Sequence, residues 1–320
     1  APTIWYHVGS VDEHEGITGL AHLVEHMMFK GRVPGRHLTY ADVLAKQGAD
    51  QNAFTMRDTT AYFEQVPKKE LKAMLRYESL RMKHLSFSKK TFDIEKKVVL
   101  EERSGRIDNQ SISRDLVRHN WLVHMANPYH NPIIGWRDDI TRLTKADVYK
   151  WHKTWYQPKF ATLVVGGDVS PSQVFAWAKQ YFGGIKNRAT HERRPRKIMR
   201  PLVGRRAVMH HAQVKEALLV LSYNVPRYNQ QGSVGSKKAA FALQMLGLVL
   251  NGPNGLEKSL VYKERIASSV QVSYSMVSRY NGSFTFYISP FPGVSVAKLE
   301  DSLLKQVSLL QHKQLNKGLL

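Results

Sequence analysis

The sequence contains no cysteine, and this absence excludes whole classes of protein. Disulfide-stapled scaffolds and thiolate metal sites both need cysteine, so a transition-metal site here must use histidine and carboxylate ligands. No apolar run reaches the roughly 18 residues of a membrane-spanning helix, so we predict no transmembrane segment. Acidic residues are also scarce, because 26 Asp and Glu stand against 47 Lys and Arg, a formal net charge of +21.

The rest of the composition is that of an ordinary globular protein. The chain has 320 residues, 42% hydrophobic and 23% charged, which is enough for two domains of roughly 150 residues each. Helical and strand patterns alternate in both halves and predict an α+β fold, with each domain a mostly antiparallel sheet backed by helices. We place the domains at 1–190 and 207–320, joined by a linker at 191–206. The chain stops inside a helical pattern, so we expect the second domain to be incomplete.

The linker combines basic residues with prolines and has no helical stripe. Its positive charge could be interpreted as a nucleic-acid patch, but interleaved aromatic residues and a known nucleic-acid module are missing. We therefore interpret it as a solvated strap between domains and predict no nucleic-acid partner. Its basic residues are Arg193, Arg194, Arg196, Lys197, Arg200, Arg205 and Arg206.

The motif His-Leu-Val-Glu-His at 22–26 carries most of the chemical information. We predict a helix over 15–30, capped by Thr18, in which His22 and His26 share one face. Two imidazoles on adjacent turns can hold one Zn²⁺, and Glu25 would then be placed to take a proton from metal-activated water. The alternative is a surface helix with two incidental histidines. Apolar neighbours disfavour it, since polar groups buried among them need a partner.

A catalytic zinc also needs a third protein ligand. The predicted helix over 93–108 offers Glu95, Glu101 and Glu102. Glu95 and Glu102 lie two turns apart on one face, whereas Glu101 points away by about 100°. These residues alone leave the choice of ligand open.

The inverted motif and its surroundings at 19–31 resemble the pitrilysin/insulinase peptidases, family M16. The resemblance is strongest to short bacterial members related to mitochondrial processing peptidase, and it extends over segments at 52–62, 127–135, 156–169 and 284–293. It implies two homologous domains of the LuxS/MPP-like metallohydrolase fold.

The resemblance also implies a set of site residues. Glu102 corresponds to the third ligand of a single Zn²⁺ per chain, and Glu95 to a carboxylate that supports a ligand. Glu25 corresponds to the general base. An Arg and Tyr pair that stabilises the oxyanion is matched loosely by Arg279 and Tyr287, although Tyr287 could equally be an ordinary inward strand residue.

The resemblance further implies a substrate-binding strand at Asn52, Ala53 and Phe54. A peptide would add to this strand as a further strand, with main-chain hydrogen bonds providing the affinity. The alternative for Asn52 is that it only caps a hairpin.

Together these features predict a zinc-dependent endopeptidase that cleaves extended peptides. The alternatives are a non-catalytic M16-like subunit and, with less support, a basic protein that binds nucleic acid or surfaces.

The family implies two halves closing around a chamber, so we expect a homodimer or a heterodimer with an M16 homologue. A chain of charge +21 should not attract basic presequences, which favours general peptide turnover. By analogy with the family we expect the bacterial periplasm, or otherwise the cytoplasm.

Overall fold

The chain divides into two compact units. The computed structural model describes residues 1–125, 127–188, 193, 203–212, 214–228, 234–280 and 282–312. Unit 1 comprises Ala1–Ser113 with Pro128–Arg196, and unit 2 comprises Arg114–Asn127 with Lys197–Leu320. Unit 1 is therefore discontinuous in sequence.

Unit 1 is built on a four-stranded sheet. Its strands are β1 (Pro2–Tyr6), β2 (Asp50–Thr55), β3 (Thr60–Gln65) and β4 (Ala161–Val165). The order across the sheet is β2-β3-β1-β4, with every neighbouring pair antiparallel. Strand β2 lies at one edge. Alternation along β1 buries Ile4 and Tyr6, as expected for a strand with one covered face.

Helices accompany this sheet in unit 1. They are α1 (Leu20–Lys30), α2 (Tyr40–Lys46), α3 (Leu71–Lys83), α4 (Lys89–Arg103), α6 (Arg137–Arg142), α7 (Lys145–Trp155) and α8 (Pro171–Phe182), whereas α5 (Ser111–His124) starts in unit 1 and lies mostly in unit 2. A π-helical turn, Ser104–Asp108, extends α4, and short 3₁₀ turns lie at Ser10–Asp12, Lys68–Glu70, Pro128–His130 and Pro158–Phe160. Helix α1 is central, because it packs against α4 and α7 and buries Leu23, Val24 and Met27 completely.

The start of α1 differs from the sequence prediction. The helix begins at Leu20 and not at residue 15, and its N-cap is Gly19, whose φ of 86° favours glycine. Thr18 does not cap it. The carboxylate of Glu13 accepts hydrogen bonds from Gly19 N at 2.9 Å and Ala21 N at 2.7 Å, so a side chain from the preceding loop satisfies the helix end.

Unit 2 contains a three-stranded antiparallel sheet. Its strands are β5 (Leu219–Val225), β6 (Ala267–Tyr274) and β7 (Gly282–Pro290), in the order β5-β7-β6. Helices α9 (Val234–Asn251) and α10 (Val296–His312) and a π-helical segment, Glu257–Lys263, complete the unit. Phe286 and Ile288 of β7 pack in one core with Leu299 and Leu303 of α10. Both units thus confirm the predicted α+β fold.

Polar contacts explain why most of α5 belongs to unit 2. His119 Nε2 lies 2.8 Å from Ser222 Oγ on β5, and Asp115 Oδ2 lies 2.7 Å from His211 Nε2. The predicted domain boundaries at 190 and 207 stay a prediction.

Most of the predicted linker lies outside the described residues. Arg193 is described, and its guanidinium contacts Asp12 at 2.6 Å and stacks over Trp155 at 4.5 Å. Arg205 donates to Leu122 O, and Arg206 pairs with Glu300 at 2.6 Å. These three side chains are therefore bound to the protein surface. Within the part of the chain that is described, no helix combines the length and apolar character needed to cross a membrane.

Candidate metal centre

Helix α1 presents both histidines of the motif to one place. The centroids of the His22 and His26 rings are 4.8 Å apart, as expected for residues four apart on a helix. His22 is buried and His26 is partly exposed. The apolar remainder of α1 is fixed in the core, so the two imidazoles have a rigid support.

Glu102 reaches these imidazoles from α4. Its Oε2 lies 3.4 Å from His26 Nε2, and its Oε1 lies 3.8 Å from His22 Nε2. One ligand atom from each of the three residues falls within 4.8 Å of the other two. Ligand atoms at about 2.1 Å from a tetrahedral zinc lie about 3.4 Å from each other, so the set has nearly the spacing of a zinc site.

The state of His22 supports this fit. Burial first, and then the nearby positive charge of His26 and Arg106, lowers the pKa of His22 to about 3. The imidazole is therefore neutral, which is the form that binds metal. Its Nδ1 is buried without a hydrogen-bond partner among the described residues. The other ring nitrogen, Nε2, faces Glu102 at 3.8 Å, which is too far for a hydrogen bond, and a metal ion there would supply the interaction that Glu102 does not.

Glu25 lies beside this cluster and contacts the sheet. Its Oε2 accepts a 2.6 Å hydrogen bond from Thr55 Oγ1 at the end of β2. Burial raises the pKa of Glu25, while the Thr55 hydrogen bond and the charge of His26 oppose the rise. A carboxylate with a raised pKa is a better proton acceptor than one exposed to water.

Glu95 sits behind His26. Its Oε2 lies 3.4 Å from His26 Nδ1, and its Oε1 lies 3.1 Å from Lys30 Nζ. A carboxylate on the distal nitrogen of a ligating histidine orients the ring and makes it more basic. The geometry therefore suits the predicted supporting role. Glu101 is exposed on α4 and lies outside the three-residue cluster.

The predicted substrate residues lie on the edge strand β2. Met56 N donates to Thr59 O, and alternation along the hairpin then directs the backbone of Asn52 and Phe54 toward β3 and that of Ala53 outward. The outward N–H of Ala53 donates to Asn52 Oδ1 at 2.8 Å. The Phe54 ring contacts Trp5 edge-on at 5.4 Å. A backbone donor thus faces the open edge of the sheet.

The remaining two predicted residues belong to unit 2. Arg279 is half-buried in a bend after β6, and Tyr287 is half-buried in β7, paired with Val220 and Gln271. Their proposed oxyanion role stays a prediction.

Sequence reasoning missed three contributors to this centre. Thr55 orients Glu25, and Glu13 caps the helix that carries both histidines. Arg106 Nη1 lies 2.7 Å from Glu102 Oε1. Only Arg106 left a usable signal, since it stands four residues after Glu102, where a helix places charge partners.

Comparison with known proteins decides the family. The model described as "Insulinase (Peptidase family M16)" matches residues 2–134, and that of "Peptidase M16 inactive domain" matches residues 142–320. The "Zinc protease PqqE" of Helicobacter pylori is 31% identical over 98% of this chain and 69% of its own length. The chain belongs to peptidase family M16.

Solved structures of M16 proteins have the same fold as this M16 chain. A protease from Helicobacter pylori superimposes with a TM-score of 0.88 at 28% identity, over 99% of this chain and 76% of that one. The periplasmic protease PqqL from Escherichia coli superimposes with a TM-score of 0.75 at 21% identity, over 97% of this chain and 37% of that one. The second similarity concerns the fold alone.

Proposed function

We propose that this chain is the metal-binding half of a zinc-dependent endopeptidase. The observation that carries the proposal is the convergence of His22, His26 and Glu102 from two helices, with Glu25 beside them. Membership of M16 and a relative named as a zinc protease support it. The chain spans 69% of that relative's length.

His22, His26 and Glu102 would hold one Zn²⁺ and leave a position open. When bound, zinc supplies Lewis acidity that polarises a peptide carbonyl and acidifies water. Glu25 accepts the proton of the attacking water and passes it to the leaving amine. Thr55 holds the Glu25 carboxylate in place through its 2.6 Å hydrogen bond.

The substrate binds as an extended peptide along β2. Its main chain pairs with the outward backbone of Ala53, which requires Asn52 Oδ1 to release the Ala53 N–H. Because main-chain groups supply most of this affinity, sequence selectivity is broad.

We further propose that the active enzyme contains a second M16 chain, identical or homologous, that closes over the peptide. Arg279 and Tyr287 of one chain would then stabilise the oxyanion that forms at the metal centre of the other chain. Size-exclusion chromatography with light scattering tests the pairing. A periplasmic location is proposed by analogy with the protein described as the periplasmic protease PqqL.

The substitution Glu25→Gln tests the function. It removes the proton acceptor but no metal ligand, so cleavage of quenched peptides should fall by about 10²–10⁴-fold while one zinc per chain is retained. Glu101→Gln is the matched control, since this exposed carboxylate lies next to a ligand and should change activity less than twofold. Unchanged cleavage by Glu25→Gln would remove Glu25 from the mechanism. If the zinc-loaded wild type shows no peptide cleavage that a chelator abolishes, the chain is better explained as a non-catalytic M16 subunit.

A further inference from the structure

Unit 1 contains a second concave site, apart from the metal centre. It is a cavity of about 500 Å³, and none of His22, Glu25, His26, Glu95 or Glu102 lines it. Its walls come from the loop after α1, the end of α3, the middle of α7 and Arg188. The lining residues are Arg32, Val33, Pro34, Gly35, Arg36, Lys83, His84, Leu85, Ser86, Tyr149, His152, Lys153 and Arg188. A cavity of this size suits a small ligand.

The charge of the lining is of one sign. Five of these residues are Lys or Arg, and none is Asp or Glu. Across the described residues, none of these five cationic side chains has an ion pair or hydrogen bond. By contrast, Lys30 and Arg106 near the metal centre and the buried Arg81 all contact carboxylates. The cavity therefore concentrates positive charge that the described residues do not neutralise.

Two histidines in the wall experience this field. Burial lowers the pKa of His84, and the charges of Lys83 and Arg188 lower it further. Burial also lowers the pKa of His152 to about 4, and Arg188 and His84 add to the effect. Positive charges from different segments of the chain therefore influence the same pair of histidines in the cavity wall.

Backbone contacts hold these walls together. Arg32 N donates to Ser86 O at 2.8 Å, which joins the loop after α1 to the end of α3. The Tyr149 ring stacks on Phe87 with centroids 4.8 Å apart. The cationic groups are therefore mounted on a preformed framework, which reduces the entropy cost of binding a ligand.

We propose that this cavity binds a compact anion that carries two or more phosphate groups. Three arginines offer planar forks that match phosphate oxygens, and two lysines add point charges. Five uncompensated cations need several negative charges in a small volume, which a condensed phosphate provides and a single carboxylate does not. A concave cavity also fits a compact ligand better than a duplex nucleic acid, which needs an extended basic stripe. The inference is independent of the peptidase proposal.

Calorimetric titration of the metal-free full chain tests this site, since phosphates could otherwise act by removing a bound metal. In 50 mM NaCl, inorganic tripolyphosphate should bind one per chain, with pyrophosphate weaker and orthophosphate and citrate at least tenfold weaker than tripolyphosphate. Raising NaCl to 300 mM should weaken binding markedly, because the charges are near the surface.

A pair of double variants separates the cavity from the general basicity of the chain. Arg32→Gln with Arg188→Gln should raise the Kd for tripolyphosphate at least tenfold. Arg76→Gln with Arg142→Gln removes the same charge from exposed helix positions of unit 1 and should change it less than twofold. Circular dichroism and thermal unfolding establish that both variants are folded.

Three results would overturn the proposal. They are no tripolyphosphate binding in 50 mM NaCl, equal weakening by the two double variants, and citrate binding as tightly as tripolyphosphate. A different result would assign the surface to nucleic acid instead. In that case duplex DNA binds, the double variant Arg32→Gln with Arg188→Gln weakens its binding, and tripolyphosphate does not bind.

Discussion

At the scale of single residues, the charge of the metal centre is balanced by side chains that do not bind metal. Glu102 and Glu25 bring negative charge, and neutral His22 brings none. Arg106 lies 2.7 Å from Glu102 and offsets one carboxylate without the metal. A divalent ion at this place would be offset by the same two carboxylates, so Arg106 would compete with it for Glu102. We therefore expect Arg106 to lower metal affinity while it holds the Glu102 carboxylate in position.

His152 should make the fold sensitive to acid. It is buried, its Nε2 lies 3.2 Å from Arg81 O, and its pKa is lowered to about 4. Between pH 6.5 and about 4 the unfolded chain binds a proton here that the folded chain does not, so the free energy of unfolding falls as pH falls. The loss due to His152 should reach about 3 kcal/mol by pH 4.

Urea unfolding at pH 7, 6, 5 and 4 measures this effect. His152→Gln should lose less stability over this range than the wild type, even if its stability at pH 7 is lower. His37→Gln is the control, because His37 is exposed and no burial effect is expected there. An identical pH slope for the wild type and His152→Gln would show that His152 is not the acid-sensitive group.

At the scale of elements, backbone contacts fix the distance between the two ligand-bearing helices. Arg103, next to Glu102 on α4, donates to Gly135 O. Gly135 in turn packs on Gly19 at the start of α1, so closely that a Cβ on Gly19 would lie 2.4 Å from Ile134 O. Neither glycine can carry a side chain without a shift of the backbone at 18–19 or 134–135. This contact keeps the imidazoles and the carboxylate within bonding reach of one ion.

The exposed edge of β2 allows a test of the strand backbone, which is separate from any test of a side chain. Ala53→Pro removes the outward N–H and leaves the pairing of β2 with β3 intact, because proline is tolerated where the N–H faces away from the sheet. The value of kcat/KM for extended peptides should fall at least tenfold, with zinc content unchanged.

Ala53→Gly is the matched variant for this test. It keeps the N–H and removes only the Cβ methyl group, so it should retain most of the activity. Equal losses in the two variants would mean that packing of Ala53, and not strand addition, accounts for the effect.

The sequence predicts regular elements better than it predicts their ends and supports. Helix periodicity placed His22 and His26 on one face of α1, and the structure brings Glu102 to them. The predicted cap of α1, Thr18, was wrong. Glu13 accepts hydrogen bonds from the N–H groups at the helix start from a position six residues before Gly19, and no local pattern signals such a contact. Thr55 reaches Glu25 across 30 residues of sequence, a tertiary contact that spacing cannot reveal.

At the scale of the whole molecule, the cations behind the net charge of +21 differ in whether a carboxylate compensates them. Some cations are neutralised by carboxylates, as Arg81 is by Glu64 and Glu78 in the core of unit 1. Others, including those of the basic cavity, have no partner in the described part of the chain. We expect these uncompensated cations to make the field that an approaching peptide meets positive overall.

That field should select substrates by charge. Among peptides that share one cleavable core, those with acidic flanks should show a kcat/KM at least fivefold above those with basic flanks in 20 mM salt, because opposite charge raises the encounter rate. The ratio should approach one in 0.5 M salt, where the screening length is only a few ångströms. A peptide with neutral flanks is the control and should change little with salt. Faster cleavage of the basic peptide at low salt would show that local acidic groups such as Glu25 and Glu95, and not the net charge, control access to the metal centre.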